Sequence, residues 1–154
     1  MKTLLPTTAG KRVSEFFLAT TSELLQIEYR PPQSIMQPGL VDSELDLLML
    51  CNLESILTGN DWESVFDDVY INPVQDHGPD GPWIYQVSTE LLRALKTLSP
   101  DNILDCAKEW SQTDEWTLRE DTPIECITTI LRELTELAVQ ADTQGKQVFI
   151  WTEL

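Results

Sequence analysis

The chain has 154 residues, with 26 Asp and Glu against 10 Lys and Arg, which gives a formal net charge of −16 at pH 7. This charge excludes a non-specific nucleic-acid binder, because phosphate neutralisation needs clustered Lys and Arg, and it disfavours attraction to an anionic membrane surface. With 42% hydrophobic residues, six glycines and three cysteines, the composition also excludes collagen-like, fully disordered and disulfide-scaffold classes.

Residues 1–12 are polar and predict a flexible N-terminal tail, whereas residues 13–154 have the length and apolar content of a single domain. The apolar run near the N-terminus is two leucines followed by a proline, too short for a secretory signal peptide. No window approaches the roughly 18 apolar residues of a membrane span. Cys51, Cys106 and Cys126 are odd in number and lie in apolar helical patterns, which indicates reduced, mostly buried thiols. We therefore expect a cytoplasmic protein without membrane contact.

The first part of the domain predicts one ambiguous element, a loop and a helix. The residues after the tail fit either a strand or a helix, and Ser22 has the position of a helix cap. Prolines predict a connecting loop over residues 30–41. Asp42 or Ser43 then caps a helix whose apolar residues recur at helical spacing up to Gly59, the expected C-terminal cap.

The middle of the chain predicts a helical turn, a long loop and a short strand. The turn covers residues 60–66, and the prolines and glycines of residues 67–82 predict the loop. Loops of this length in compact domains are often functional. Residues 84–87 are β-prone and lead into a helix capped by the stretch Ser88-Thr89-Glu90.

The last third predicts two helices and a closing strand. Ser99 followed by proline starts the first helix. Thr122 and Glu125 fit a capping box at the start of the second, which ends at Gly145. Residues 147–152 are β-branched and aromatic, as in a strand. Together these elements predict an α+β fold, a helix-rich single domain with a small sheet that includes a C-terminal strand.

Several short motifs lie in the part of the chain after residue 42. The motif Gly-Pro-Trp-Ile-Tyr-Gln-Val-Ser over residues 81–88 enters a leucine-rich helix, and Leu-Thr-Gly over residues 57–59 ends an earlier one. Leu-Arg-Glu-Leu over residues 131–134 precedes a glycine turn and the closing strand. In these motifs, residues 42–154 resemble the YfbM-like family of bacterial proteins. The resemblance implies an α+β fold, and since that family has no assigned activity it implies no functional residue.

His77 is the single histidine, and it lies between Asp76 and Asp80 in the proline-rich loop. One hypothesis makes it a general base, or a metal ligand together with these carboxylates. The other treats it as a polar residue in a turn-rich loop. The sequence has no Cys-x-x-Cys pair and no phosphate-binding glycine motif. We therefore predict no cofactor, no metal ligand and no catalytic residue.

The negative charge is concentrated in the middle of the chain. Residues 31–92 contain no Lys or Arg, but they contain eleven acidic residues. This segment is either generally acidic, which favours solubility, or a docking face on which opposite charge steers a basic partner. Trp62 and Trp83 flank the long loop and are either core residues or interface anchors.

We predict a non-enzymatic protein-binding domain that docks a basic partner protein through its acidic segment, residues 31–92. An immunity-type or antitoxin-type inhibitor of a basic effector is one example, and a nucleic-acid mimic is another. The alternative is a small-ligand-binding protein or a hydrolase-like enzyme, with His77 and nearby carboxylates in a cleft. No pattern indicates the oligomeric state. The predicted partner-binding residues are Trp62, Asp67, Asp68, Asp76, His77, Asp80 and Trp83.

Overall fold

The computed structural model describes residues 13–27, 39–43, 45–119 and 122–153. The predicted tail over residues 1–12 lies outside this range, as does most of the predicted loop over residues 30–41. The strands within the described residues are β1 (Val13–Ala19), β2 (Gly39–Ser43), β3 (Gln75–Asp76), β4 (Trp83–Gln86) and β5 (Gln147–Glu153). They form one antiparallel sheet in the order β2-β1-β5-β4-β3.

The C-terminal strand β5 lies at the centre of this sheet. It pairs with β1 along its whole length, and on its other side Trp83 to Gln86 of β4 pair with Thr152 to Phe149. Five consecutive side chains of β5 are buried, which are Val148, Phe149, Ile150, Trp151 and Thr152. Burial on both faces explains why this strand is a continuous run of β-branched and aromatic residues without polar alternation.

Alternate residues of the central strands pack into two apolar clusters, because successive side chains of a strand point to opposite faces. Phe16 and Ile150 belong to the large cluster, which the longer helices cover. Phe17 and Phe149 belong to the smaller cluster on the other face, where their rings stack with centroids 5.7 Å apart. Leu24 from the short helix after β1 completes that smaller cluster.

The helices are α1 (Thr21–Leu25), α2 (Leu47–Thr58), α3 (Trp62–Val65), α4 (Thr89–Lys96), α5 (Pro100–Ser111), α6 (Asp114–Thr117) and α7 (Ile124–Gln144). A π-helical turn, Phe66–Tyr70, continues α3. The indole nitrogen of Trp110 donates a buried hydrogen bond of 2.9 Å to the Met49 carbonyl, which joins α5 to α2. Among the described residues, none of the helices has the length and apolarity needed to span a bilayer.

The predicted α+β class, rich in helix and with a C-terminal strand in the sheet, is confirmed. Several predicted ends are also confirmed. Ser88 caps α4 through a bond from the Leu91 amide, and Ser99 occupies the N-cap of α5 ahead of its proline. Gly59 and Gly145 end α2 and α7 in the left-handed conformation, with φ of 82° and 66°.

Two predicted helix starts are wrong. Thr20, and not Ser22, caps α1: its hydroxyl accepts from the Glu23 amide, and the Glu23 carboxylate accepts from the Thr20 amide. The cap of α2 is Asp46, whose Oδ1 accepts the Met49 N–H at 2.9 Å.

Residues 39–43, predicted as the end of a loop and a helix cap, form β2 because they pair with β1. That pairing is long-range, so local cap signals do not show it.

The capping box predicted for α7 is also wrong. Pro123 occupies the N-cap in an extended conformation, and no side chain caps this end. The helix therefore starts at Ile124, which places Glu125 at the second helical position. A capping box needs its acid at the third position, so Glu125 is one residue too early to complete it.

Candidate functional site

A cavity of about 720 Å³ opens where the end of α2 meets α3, the π-helical turn and the start of α4. All of its lining residues come from positions 54 to 90, so the acidic segment 31–92 builds it. They are Glu54, Asn60, Asp61, Ser64, Val65, Asp68, Val69, Val74, Gln86, Val87, Ser88, Thr89 and Glu90.

The cavity is negatively charged. Its lining includes the carboxylates of Glu54, Asp61, Asp68 and Glu90, and no Lys or Arg is among the described residues that line it. Asp61, Asp68 and Glu90 are exposed, whereas Glu54 is 2% exposed. The first three therefore form an acidic rim, and Glu54 lies at the floor.

Glu54 is the most unusual group in this site. It lies on α2, four residues before the end of the helix at Thr58. The other residues of α2 are apolar or uncharged, and Glu54 Oε1 has no hydrogen-bond partner. Burial raises the pKa of this carboxyl, and the Glu90 charge adds to the effect. The Ser88 hydroxyl and the Asn60 amide lie close enough to oppose this shift. The floor of the cavity is thus a carboxylate that its surroundings solvate incompletely.

Hydrogen bonds hold the walls of the cavity in place. The Tyr70 hydroxyl accepts from the Ser88 amide at 3.0 Å, which ties the π-helical turn to the start of α4. The Asn60 side-chain amide donates to Glu90 Oε2 at 2.8 Å and links the end of α2 to α4. Asp61 caps α3 by accepting from the Ser64 amide at 3.3 Å. Both long-range bonds connect segments that carry rim or floor carboxylates.

The rest of the lining provides apolar walls. Val65 and Val87 are buried, Val69 is half-buried, and Val74 is exposed. These side chains add branched hydrocarbon surface to a lining that also contains four carboxylates. The cavity therefore suits an amphipathic group.

The structure distributes the predicted partner-binding residues over three places. Asp68 lines the main cavity, and its exposed neighbour Asp67 does not. Trp62 is 41% exposed and borders a second cavity of about 260 Å³. The other residues of that cavity are Leu48, Asn52, Thr113, Asp114 and Glu115.

The remaining predicted residues belong to the edge hairpin formed by β3 and β4. Asp76 pairs with Trp83 across it, and the His77 amide donates to the Pro82 carbonyl at 3.1 Å. His77 Nε2 lies 3.2 Å from Gln75 Oε1. Asp80 is exposed near the tip of the hairpin, and none of Asp76, His77, Asp80 and Trp83 lines the main cavity.

Sequence reasoning missed Glu54, Asp61 and Glu90, which together form most of the charged lining. The charge deficit of residues 31–92 identifies the region but not these residues. For Glu54 a signal exists: it is the one acidic residue in the twelve residues of α2, Leu47–Thr58. An isolated acid on such an apolar helix indicates a buried carboxylate.

The described residues contain no group of three or more His, Cys, Asp and Glu side chains arranged to hold a metal ion. The cysteines are free: Cys51 and Cys106 are buried, and Cys126 is exposed. Burial, with nearby acidic groups adding to it, raises the pKa of Cys51 to about 12 and that of Cys106 to about 11. Since the thiolate is the reactive form, neither buried thiol has the properties of a nucleophile.

Comparisons with protein-family models, with curated proteins and with solved structures gave no match. The resemblance of residues 42–154 to the YfbM-like family stays a prediction.

Proposed function

We propose that this protein is a non-enzymatic binding domain that docks a basic partner protein through its acidic segment, residues 31–92. The observation that carries the proposal is the cavity itself, in which four carboxylates converge and, among the described residues, no Lys or Arg joins the lining. Opposite charge on a partner would be steered to this region and held there. An inhibitor of a basic effector and a nucleic-acid mimic both use such a surface.

The surroundings of the cavity support the same function. Asp67, Asp76 and Asp80 are exposed and extend the negative charge over the π-helical turn and the edge hairpin. Trp62 is a large exposed aromatic residue on the same segment, and aromatic residues are typical anchors of protein interfaces. A basic protein would thus meet both charge and an apolar anchor.

The alternative function is a small-ligand-binding protein, and one observation favours it. The volume of about 720 Å³ lies within the range of small-molecule sites, roughly 300–1,000 Å³. The version of this alternative that uses His77 as a catalytic base has less support, because His77 does not line the cavity. A small-ligand site would be independent of the exposed acids outside the cavity.

The test is salt-dependent binding of a fluorescent oligolysine peptide, followed by anisotropy, with an oligoglutamate peptide of equal length as the negative control. The docking variant combines Asp67→Asn, Asp68→Asn and Asp80→Asn. The matched control combines Asp105→Asn, Glu109→Gln and Glu136→Gln. These three acidic residues are exposed and lie outside the segment. Each variant therefore loses three negative charges, and the net charge of the protein changes equally in both.

We expect oligolysine to bind the wild type at low salt and to dissociate as salt screens the charges. The docking variant should bind at least about tenfold more weakly than the matched control, since only the former lacks charges near the cavity. Equal weakening by both variants would mean that net charge alone attracts the peptide, and the proposed docking segment would be wrong. Absence of binding by the wild type at low salt would overturn the proposal altogether.

A further inference from the structure

The buried carboxylate at the cavity floor indicates what kind of group the cavity receives. Glu54 is 98% buried and its Oε1 has no hydrogen-bond partner. Leaving a buried acceptor unpaired destabilises the protein, and the cost is larger when the acceptor is charged. A ligand that brings both hydrogen-bond donors and a positive charge to this oxygen would remove that cost.

The carboxylate oxygens in and around the cavity fit an organic cation better than a metal ion. Calcium takes six to eight oxygen ligands, and the described residues contain no group of side chains arranged to hold a metal. Asp61, Asp68 and Glu90 are exposed to solvent, whereas Glu54 is buried. An ammonium or guanidinium group needs only one or two carboxylate oxygens and can donate to Glu54 directly.

The walls fit the rest of such a ligand. Val65, Val69, Val74 and Val87 line the same cavity as Glu54 and the exposed carboxylates. Lysine and arginine side chains have the same arrangement of polarity, with an aliphatic stem that packs on apolar surface and a cationic head. A stem packed on these valines would lie in the same cavity as the Glu54 carboxylate that its head would meet.

We infer that the cavity receives a lysine or arginine side chain of the basic partner protein, with Glu54 as the buried counter-charge of its ammonium or guanidinium group. This inference rests on the proposed docking function and adds the anchor to it. A polypeptide source fits the rim, because the carboxylates of Asp61, Asp68 and Glu90 can bind further basic residues on either side of the inserted one. A polypeptide partner also agrees with the cavity volume of about 720 Å³, which is larger than a single side chain requires.

The first test uses the full chain, the same oligolysine peptide and two single-charge variants. Glu54→Gln keeps the shape of the floor residue and removes its charge. Glu63→Gln is the matched control, since Glu63 is exposed on α3 beside the cavity and does not line it. We expect Glu54→Gln to weaken binding by about tenfold or more, as one lost charged hydrogen bond predicts, and Glu63→Gln to weaken it much less.

A second pair of variants does not touch the core. Val74 is an exposed wall residue, so Val74→Lys places an ammonium group in the cavity and should block peptide binding. Ile71→Lys is its control, because Ile71 is exposed nearby and outside the lining. Both variants add one positive charge to the protein. A difference between their affinities for oligolysine would therefore show that the peptide occupies the cavity.

Small probes distinguish a protein side chain from a free amine. Amide resonances of the labelled protein are followed by NMR with N-acetyl-lysine amide, with its neutral analogue N-acetyl-norleucine amide, and with spermidine. The lysine probe should shift the amide resonances of Glu54 and Ser88, and the norleucine probe should not. Spermidine binding tighter than oligolysine would overturn the assignment to a protein partner and indicate a polyamine site.

The outcomes also separate this inference from the proposed function. If Glu54→Gln and Val74→Lys bind oligolysine like their controls while the Asp67, Asp68 and Asp80 variant loses binding, the insertion is wrong and surface docking remains. If the wild type binds no basic peptide at low salt, both are wrong.

Discussion

The phenol oxygen of Tyr70 accepts a hydrogen bond from the backbone amide of Ser88, with 3.0 Å between the two atoms. Tyr70 is 1% exposed and ends the π-helical turn, whereas Ser88 caps α4. The bond joins two segments that are eighteen residues apart and that form adjacent walls of the acidic cavity. It therefore fixes the position of Ser88 relative to the floor carboxylate, Glu54.

Tyr70→Phe should destabilise the fold through this bond. The substitution keeps the ring and leaves the buried Ser88 amide without an acceptor, which costs about 1–3 kcal/mol in free energy of unfolding. Urea unfolding measures the loss, and faster hydrogen exchange of the Ser88 amide would assign it to this site. Thr129→Val, which removes an exposed hydroxyl bonded to a helix carbonyl, is the control and should change stability little. A Tyr70→Phe protein as stable as the wild type would contradict the argument.

The close approach of Gly81 to the Trp83 ring provides a second test, at the edge hairpin. Gly81 has φ of +83°, and a Cβ there would lie 3.0 Å from Cε3 of the Trp83 ring. Gly59 has nearly the same φ, +82°, with nothing within 4 Å of an added Cβ. Alanine at either position costs roughly 1–2 kcal/mol of left-handed strain, and at Gly81 the ring must also move.

We therefore expect Gly81→Ala to be less stable than Gly59→Ala in urea unfolding. The difference between the two variants isolates the contact with Trp83, because the backbone strain is common to both. A change in tryptophan fluorescence of the native Gly81→Ala protein would support the displacement of the ring. Equal losses in the two variants would show that the contact is unimportant.

Elements defined by local chemistry could be predicted from the sequence. Gly59 and Gly145 end helices where a left-handed residue is required, and Ser88 starts one where its hydroxyl reaches the amide three residues on. The β-branched and aromatic run that forms β5 likewise predicts a strand. Each of these signals acts within a few residues, so the rest of the fold does not change it.

Features that depend on residues distant in the chain could not be predicted in this way. Strand β2 exists because it pairs with β1, more than twenty residues earlier, and its sequence contains a glycine and polar residues. The cavity brings Glu54 of α2 together with Ser88 and Glu90 of the α4 start. The absence of Lys and Arg from residues 31–92 indicates the segment that contains the cavity. Which side chains of that segment meet in the cavity depends on tertiary packing.

The cysteines provide a third prediction, about reactivity. Burial raises the pKa of Cys51 to about 12 and of Cys106 to about 11, so both stay protonated at mildly alkaline pH. Cys126 is exposed. Because the thiolate is the attacking form, iodoacetamide should modify Cys126 in the native protein and the other two only after unfolding. Peptide mass spectrometry reads out the three sites, and rapid modification of Cys51 in the native state would contradict its burial.

The pH dependence of stability provides the last prediction, at Glu54. Burial raises the pKa of this carboxyl above its ordinary value of 4.5, the Glu90 charge raises it further, and Ser88 and Asn60 oppose the shift. The native state therefore holds this proton more tightly than the unfolded state. The contribution of Glu54 to the free energy of unfolding is fully present below the unfolded pKa and falls as pH rises from there through the raised pKa.

Glu54→Gln removes this titration and keeps the shape of the side chain. We expect the variant and the wild type to have similar stabilities near pH 4, where Glu54 is protonated in both states. As the pH rises toward neutrality, the variant should become the more stable of the two. Urea unfolding at a series of pH values measures the difference, in which the titrations common to both proteins cancel. Glu63→Gln, a substitution at an exposed neighbour, is the control for removing one acidic group. A difference between Glu54→Gln and the wild type that does not change with pH would mean that the floor carboxyl titrates alike in the folded and unfolded chains, and the buried counter-charge would lose its physical basis.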